Sequence, residues 1–217
     1  MALLVNEIFK GVQGESWFAG LPCVFVRLTG CNLRCNYCDT QYAYKGGQEF
    51  SVEELVERAI GYPTFGGTQL VDITGGEPLL QDDTPELAEA LLHKAKTVLV
   101  DTNGSFDIDI LPKGIVRIVD VKCPDSGQSE KMLWENMDRL VKTDEVKFVL
   151  QSRRDYEWAK SVLEDYELLQ RCMVLFSPAF GILQPRTLAE WMLEDNLTVR
   201  LNLQLHKYIW SPDRRGV

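Results

Sequence analysis

Three thiols crowd one short stretch of this chain. Cys31-Asn-Leu-Arg-Cys35-Asn-Tyr-Cys38 sets them within eight residues, whereas Cys23, Cys123 and Cys172 are scattered. Thiolates gathered on one loop suit zinc or an iron–sulfur cluster. A structural zinc site usually closes with a fourth ligand, and no further Cys or His pairs naturally with this trio. Three cysteines can instead hold three irons of a [4Fe–4S] cluster, leaving the fourth iron open to an exogenous ligand. Zinc and unrelated buried thiols are the competing readings. A second candidate is Thr74-Gly-Gly-Glu77-Pro78. Its glycines let backbone come close to a ligand, and Glu77 offers a carboxylate to an ammonium group. Alone, it reads equally well as a turn.

Positioning such groups requires a scaffold, and the chain signals one by alternation. Strand-like runs fall at Cys23–Leu28, Leu70–Thr74, Thr97–Val100, Val116–Val121, Glu145–Leu150, Cys172–Phe176 and Thr198–Gln204. Most are continuously apolar, as expected of strands covered on both faces. The last alternates polar and apolar. Between them lie helical patterns. Ser51-Val-Glu-Glu54 is a capping box opening Val52–Ile60, and Thr187-Leu-Ala-Glu190 is read the same way, opening a helix that ends near Asp195. Thr84-Pro85 precedes a helix over Leu87–Ala95, Ser152 opens one running to about Leu169, and Met132–Val141 makes another. The stretch from Val100 to Val116 is too broken by Asn103-Gly104 and Pro112-Lys-Gly114 to hold a full helix. Alternating β and α elements predict an α/β fold with a mainly parallel sheet and right-handed crossovers. Six or seven strands are too few for a closed eight-stranded barrel, so a partial, open barrel is expected. Residues 1–217 read as a single domain, with no linker, repeat or low-complexity segment.

In such a sheet the working residues gather at the carboxyl ends of the strands. Those ends carry Gly30–Cys38, Thr74–Glu77, Asp101–Gly104, Asp120–Lys122, Ser177-Pro178 and Gln204–His206, which are polar, Gly-rich or metal-binding. An active site on one rim would produce this pattern.

Composition narrows the class. The 217 residues are 45% hydrophobic and 25% charged, with 23 Lys and Arg against 32 Asp and Glu, a net charge of −9. That balance argues against nucleic acid as the main partner, since gripping phosphates draws on clustered positive charge. No run approaches the roughly 18–20 apolar residues that span a bilayer. The N-terminal residues lack the basic start and apolar core of a signal peptide. A cytoplasmic protein is expected, its cysteines thiols or metal ligands and not structural disulfides.

The cysteine loop resembles the CxxxCxΦC signature of radical S-adenosylmethionine enzymes, with Tyr37 at the aromatic position. In that superfamily S-adenosylmethionine chelates the open iron, and an electron from the cluster cleaves it to a 5′-deoxyadenosyl radical that abstracts hydrogen from substrate. A partial (β/α)6 barrel is its usual core. The resemblance narrows further. Val12-Gln-Gly-Glu15, Phe25–Cys35, Cys38-Asp-Thr40, Thr74–Gln81 and Gln204-Leu-His-Lys207 look like the 7-carboxy-7-deazaguanine synthase family, in family order. The resemblance implies conversion of 6-carboxy-5,6,7,8-tetrahydropterin to 7-carboxy-7-deazaguanine with loss of ammonia, on the route to queuosine and other 7-deazapurines. It also implies Mg²⁺, S-adenosylmethionine used as a regenerated cofactor, a flavodoxin-like electron donor and a homodimer.

Carried over by position, the resemblance puts the pterin on Val12, Gln13, Gly14, Glu15, Arg27, Thr74, Asp101 and His206. It puts S-adenosylmethionine on Tyr37, Cys38, Asp39, Gly76, Glu77, Asp120, Lys122 and Ser177, and Mg²⁺ on Thr40. The residue chemistry agrees with several of these roles. Arg27 offers a forked cation to a carboxylate, and Gln13 with Glu15 can read the donor and acceptor edge of a pterin. No protein side chain is assigned the hydrogen abstraction. Two departures stand out: the family's Gln-Gly-Glu-Gly ends here in Ser16, and its Glu-Thr-Asn-Gly begins with the shorter Asp101. The rivals are another short radical enzyme, such as a glycyl-radical-enzyme activase, and a non-catalytic iron–sulfur protein. Replacing Cys35 by Ala is expected to abolish cluster assembly and all turnover, because two thiolates hold the cube poorly. Retention of a full [4Fe–4S] absorption spectrum by the variant would contradict that.

Overall fold

The apolar runs form the strands of one sheet. A computed structural model describes residues 2–64 and 69–217. Its strands are β1 (Ala2–Val12), β2 (Pro22–Leu28), β3 (Gln48–Ser51), β4 (Leu70–Gly75), β5 (Thr97–Thr102), β6 (Val116–Val121), β7 (Glu145–Leu150), β8 (Met173–Pro178) and β9 (Arg200–Leu201). They lie in the order β3-β1-β2-β4-β5-β6-β7-β8-β9. From β2 to β9 every neighbouring pair is parallel, and β1 and β3 add an antiparallel edge. Strand order therefore advances in one direction from β2, as in a barrel, and does not reverse as in a doubly wound sheet. The sheet stays open, so the expected partial α/β barrel is what forms.

Two strands escaped the sequence reading. β1 carries Asn6, Glu7 and Lys10 among its apolar residues and is mostly half-buried, so it lacks the continuous apolar run of a central strand. β3 is only four residues long. The expected strand over 198–204 shrinks to Arg200–Leu201, because Asn202 turns its amide to Glu15 O (2.6 Å) and Ser177 Oγ (2.9 Å).

The helices are α1 (Val52–Ile60), α2 (Thr84–Leu92), α3 (Asn136–Arg139), α4 (Arg153–Asp165), α5 (Leu168–Arg171), α6 (Pro185–Glu194) and α7 (Leu205–Ile209). The Ser51 capping box forms as expected, with Ser51 Oγ accepting from Glu54 N and Glu54 returning the bond to Ser51 N. The box read at Thr187 does not form. Pro185 starts α6 three residues before the expected Leu188, at a position where its missing N–H costs nothing. The helix expected to run to Leu169 breaks after Asp165, with Glu167 in the left-handed region at φ 51°. Of the helix expected over Met132–Val141 only α3 remains. Asn136, fully buried, fastens that segment to a neighbouring loop by bonds to Gly104 O, Phe106 O and Ile108 N. Among the described residues no helix is long and apolar enough to cross a membrane.

Side chains alternate between the faces of a strand, and here the two faces differ. The outer face, with Val24, Val26, Val71, Ile73, Val98, Val100, Val146 and Phe148, packs under the helices as the main core. Tyr156 of α4 meets Phe176 of β8 edge-on, at 5.8 Å between ring centres. The inner face is layered. At the amino ends of the strands Cys23, Phe25, Leu70, Leu99 and Ile118 form a small apolar floor. One pleat further on, the same face carries Arg27, Asp72, Asp101, Asp120 and Lys147, which line a cavity.

At the opposite end of the sheet from that cavity, Asp144 is fully buried and accepts from Arg117 Nε (3.0 Å), Arg117 Nη2 (2.5 Å) and Val141 N (2.9 Å). Removing one partner of a buried pair strands the other charge. Asp144→Ala is expected to lower the unfolding free energy by about 3 kcal/mol in a urea titration. Activity per folded molecule should be unchanged, and a stability change near zero would show that the pair does not clamp β6 to β7.

Candidate active site

The carboxyl ends of the strands open onto a cavity of about 710 Å³. Cys31, Cys35 and Cys38 stand on its wall with Tyr37, Asp39, Thr40, Gly76, Asp120, Lys122 and Ser177. Val12, Gln13, Gly14, Glu15, Arg27, Thr74, Asp101 and His206 line the same space. Residues nearly two hundred positions apart thus meet on one rim.

Close backbone packing builds this rim. A Cβ on Gly76 would lie 2.2 Å from Gly30 O and 2.7 Å from Cys31 Cβ, and one on Gly75 would lie 2.4 Å from Leu28 O. The paired glycines let the end of β4 press against the cysteine loop. Gly14 likewise admits His206, whose Nδ1 would be 2.6 Å from a Cβ there.

One expected residue is absent from the wall. Glu77 is fully buried behind it, where Oε1 accepts from Leu79 N (2.9 Å) and Thr102 Oγ1 (2.7 Å) and Oε2 accepts from Asn103 N (2.6 Å). Its carboxylate is spent on the end of β5, so the structure does not present it to an ammonium group in the cavity. Burial pushes this carboxyl up to about 7 despite those three donors. Asn103 completes the brace, donating to Asn32 Oδ1 (2.9 Å) and approaching Cys31 Sγ at 3.9 Å.

Charge is concentrated at the centre. Lys147, 3% exposed, places Nζ 3.4 Å from Glu15 Oε2, 3.4 Å from Asp101 Oδ2 and 3.7 Å from Asp120 Oδ2. Burial would lower the lysine's pKa, but Asp101, Glu15 and Asp120 hold it well above its ordinary value. Burial likewise works to raise Glu15, but Lys147, His206 and the Gln204 hydrogen bond together bring it below its ordinary value, so Glu15 stays ionised. Lys122 pairs with Asp120 at 2.8 Å and lies 5.8 Å from the centre of the Tyr37 ring.

At the rim, Gln204 Nε2 donates to Glu15 Oε1 (2.9 Å) and Asp39 Oδ2 (3.1 Å), and Lys207 pairs with Asp39. Against the burial that would raise it, Lys207 together with the Thr40 and Gln204 hydrogen bonds brings the Asp39 carboxyl down to about 2. Arg27 spends Nε on Glu7 Oε1 (2.8 Å), which also accepts from Tyr42 Oη (2.8 Å). Among the described residues the two terminal nitrogens of Arg27 carry no hydrogen bond and are left for a ligand.

A family model described as the Radical SAM superfamily matches residues 25–122. A 7-carboxy-7-deazaguanine synthase from Chlorobaculum tepidum is 44% identical over 99% of this chain and 97% of its own length. Another from Koribacter versatilis is 43% identical over 98% and 99% respectively. The chain belongs to the 7-carboxy-7-deazaguanine synthase family. Two solved structures are similar in fold. The crystal structure of QueE from Escherichia coli matches at a TM-score of 0.76, 24% identity and 94% coverage of each chain. That of Streptococcus suis SuiB bound to S-adenosylmethionine matches at 0.53 and 15%, over 81% of this chain and 44% of its own.

A synthase of this radical S-adenosylmethionine family works with a [4Fe–4S] cluster and S-adenosylmethionine, and the donor set fits a cluster. The three thiols face one cavity, and among the described residues no three His, Cys, Asp or Glu side chains converge as ligands of a single ion. Cys31 Sγ accepts from Leu33 N at 3.4 Å, and hydrogen bonds to sulfur are one way proteins tune such clusters. Burial raises the Cys31 thiol and takes Cys35 to about 11, while Lys122 works against burial at both. A nearby cation of this kind supports bound thiolates.

Asp72, Lys147, Glu7 and Tyr42 also line the synthase's cavity and were not picked out from the sequence. Asp72 had a usable signal as the one charge inside its strand run, and Lys147 a weaker one, since its run also opens with Glu145. Glu7 and Tyr42 had none. The tail after Lys207, without a motif, also reaches the cavity, where Arg215 sits 3.9 Å from the centre of the Tyr42 ring. Gly76→Ala is expected to push the cysteine loop out of place, lowering iron and sulfide content after reconstitution. Turnover should fall by about a hundredfold, the scale of an ångström-sized misplacement. Wild-type iron content with undiminished turnover would show that the loop tolerates the methyl group.

Proposed function

We propose that this synthase contracts the ring of 6-carboxy-5,6,7,8-tetrahydropterin to give 7-carboxy-7-deazaguanine and ammonia. The observation that carries the reading is the meeting of Gln13, Glu15, Arg27, Thr74, Asp101 and His206 in one cavity with the cysteine loop. A pterin presents an amide and an amino group side by side, and the amide of Gln13 with the carboxylates of Glu15 and Asp101 offers complementary donors and acceptors. The free fork of Arg27 suits the substrate carboxylate. The cluster and S-adenosylmethionine, when bound at Cys31, Cys35 and Cys38, supply a hydrogen-abstracting radical next to that carboxylate.

The chain's own residues then have positional work. Tyr37, Asp39, Gly76, Asp120, Lys122 and Ser177 form the wall on the S-adenosylmethionine side. Glu77 acts through Thr102 and Asn103, from behind. Thr40, beside the ionised Asp39 at 2.9 Å, is the side chain that would join a Mg²⁺ shell otherwise made of substrate and water oxygens. Family likeness further supports one domain over residues 1–217 acting in the cytoplasm as a homodimer, with a flavodoxin-like donor.

Anaerobic reconstitution with iron and sulfide, reduction, and addition of S-adenosylmethionine, Mg²⁺ and the carboxytetrahydropterin test the reading directly. Deazapurine exceeding enzyme over many turnovers, seen by mass spectrometry, is the expected result. A reduced enzyme that cleaves S-adenosylmethionine yet forms no deazapurine would overturn the substrate and favour the activase reading.

A further inference from the structure

Beneath the expected pterin residues lies a carboxyl with one oxygen unused. Asp72 is 2% exposed and lines the cavity on the same face of β4 as Thr74. Its Oδ2 accepts from Gln13 Nε2 at 2.6 Å, whereas its Oδ1 is buried without a hydrogen-bond partner among the described residues. Buried polar atoms are nearly always satisfied, so an orphan oxygen on a residue that lines the cavity points to a partner the chain itself does not supply. Gln13 is held at both ends, because its Oε1 accepts from Glu15 N at 2.9 Å. This fixes which way round the amide lies, and leaves it one N–H and one lone pair for a ligand.

We infer that Asp72 is a recognition residue for the pterin, donating a hydrogen bond from Oδ1 to an acceptor on the bound ring while Oδ2 sets the orientation of Gln13. The inference rests on the pterin reading above. The partner already present fixes which oxygen carries the proton of the neutral carboxyl. An amide nitrogen only donates, so Oδ2 is an acceptor and a proton on this carboxyl sits on Oδ1. Burial, with Asp101 of β5 adding repulsion, pushes the Asp72 carboxyl up to about 8, against the pull of Gln13, of Lys147 on β7 and of Arg27 on β2. Near neutral pH the balance therefore favours the protonated carboxyl.

Two variants of the reconstituted holoenzyme test this. Asp72→Val suits a strand and cannot hydrogen-bond, and Asp72→Asn keeps an acceptor for Gln13 and turns an N–H toward the cavity. Neither removes a charge that stabilises the fold. The contribution of a carboxyl with a raised pKa is present in acid and lost as pH rises toward 8. Thermal melts check that both variants fold. Asp72→Val is expected to raise the KM for the carboxytetrahydropterin about tenfold, the scale of one buried hydrogen bond, with the KM for S-adenosylmethionine unmoved. Asp72→Asn is expected to recover most of that loss. Equilibrium binding of 6-carboxypterin, followed by its fluorescence, should show the same order. A valine variant with wild-type KM and binding overturns the inference, and so does an asparagine variant as impaired as valine. Failure of the wild type itself to convert the pterin is the separate result that removes the underlying reading.

Discussion

A single ammonium group, Lys147 Nζ, holds three carboxylates at the centre of the half-barrel. Glu15 comes from the loop after β1, Asp101 from β5 and Asp120 from β6, so one cation draws together three separate parts of the rim. Without it, neighbouring carboxylates facing a shared cavity would repel one another or take up protons. Asp101 shows how fine the balance is: burial raises its carboxyl, Lys147 pulls it down, and Asp120 and Glu15 raise it again. The acidic cavity is possible because the strand that supplies its cation is anchored by Val146, Phe148 and Leu150, packed on the outer face.

Around that centre the rim is made by contacts between backbones as much as by side chains. Gly75 and Gly76 let β4 reach the cysteine loop, and Asn103 joins that loop to β5. Glu77 serves this brace from behind the wall. The motif's glutamate is thus needed here for the shape of the loop, while the glycines before it make the close approach. At the outer rim Asp39 gathers Gln204, Lys207 and Thr40, which links the cluster loop to the last helix. Each motif is local in sequence, but its work lies in contact with another motif far along the chain.

That explains what the sequence made legible. The central strands were readable because both of their faces are covered and apolar residues dominate them, with charges at a few inner-face and terminal positions. The edge strand β1 was not, since its faces meet different surroundings and its residues are mixed. Cys31, Cys35 and Cys38 announce a metal centre by their spacing, and the family signature makes it a cluster. Arg27, Thr40 and His206 needed the family pattern, because a single arginine, hydroxyl or histidine has many ordinary uses. Asp72 and Lys147 were visible as charges but not as a site, because their meaning depends on the pleat that puts them on the inner face beside partners from other strands. The helix expected over Met132–Val141 failed for a related reason: Asn136 satisfies three backbone groups of a distant loop, a tertiary demand that local periodicity does not record.

The arrangement around Lys147 also bears on how such a protein can change over evolutionary time. Replacing Lys147 alone would leave three carboxylates facing one another in a poorly hydrated space, so a change at that position must be matched by changes among its partners. The tail is under no such rule, since Arg215 lies over the Tyr42 ring at the border of solvent, where a lost charge is soon replaced by water. Divergence among descendants of this chain should therefore accumulate in the tail, while the interior drifts only by coordinated steps.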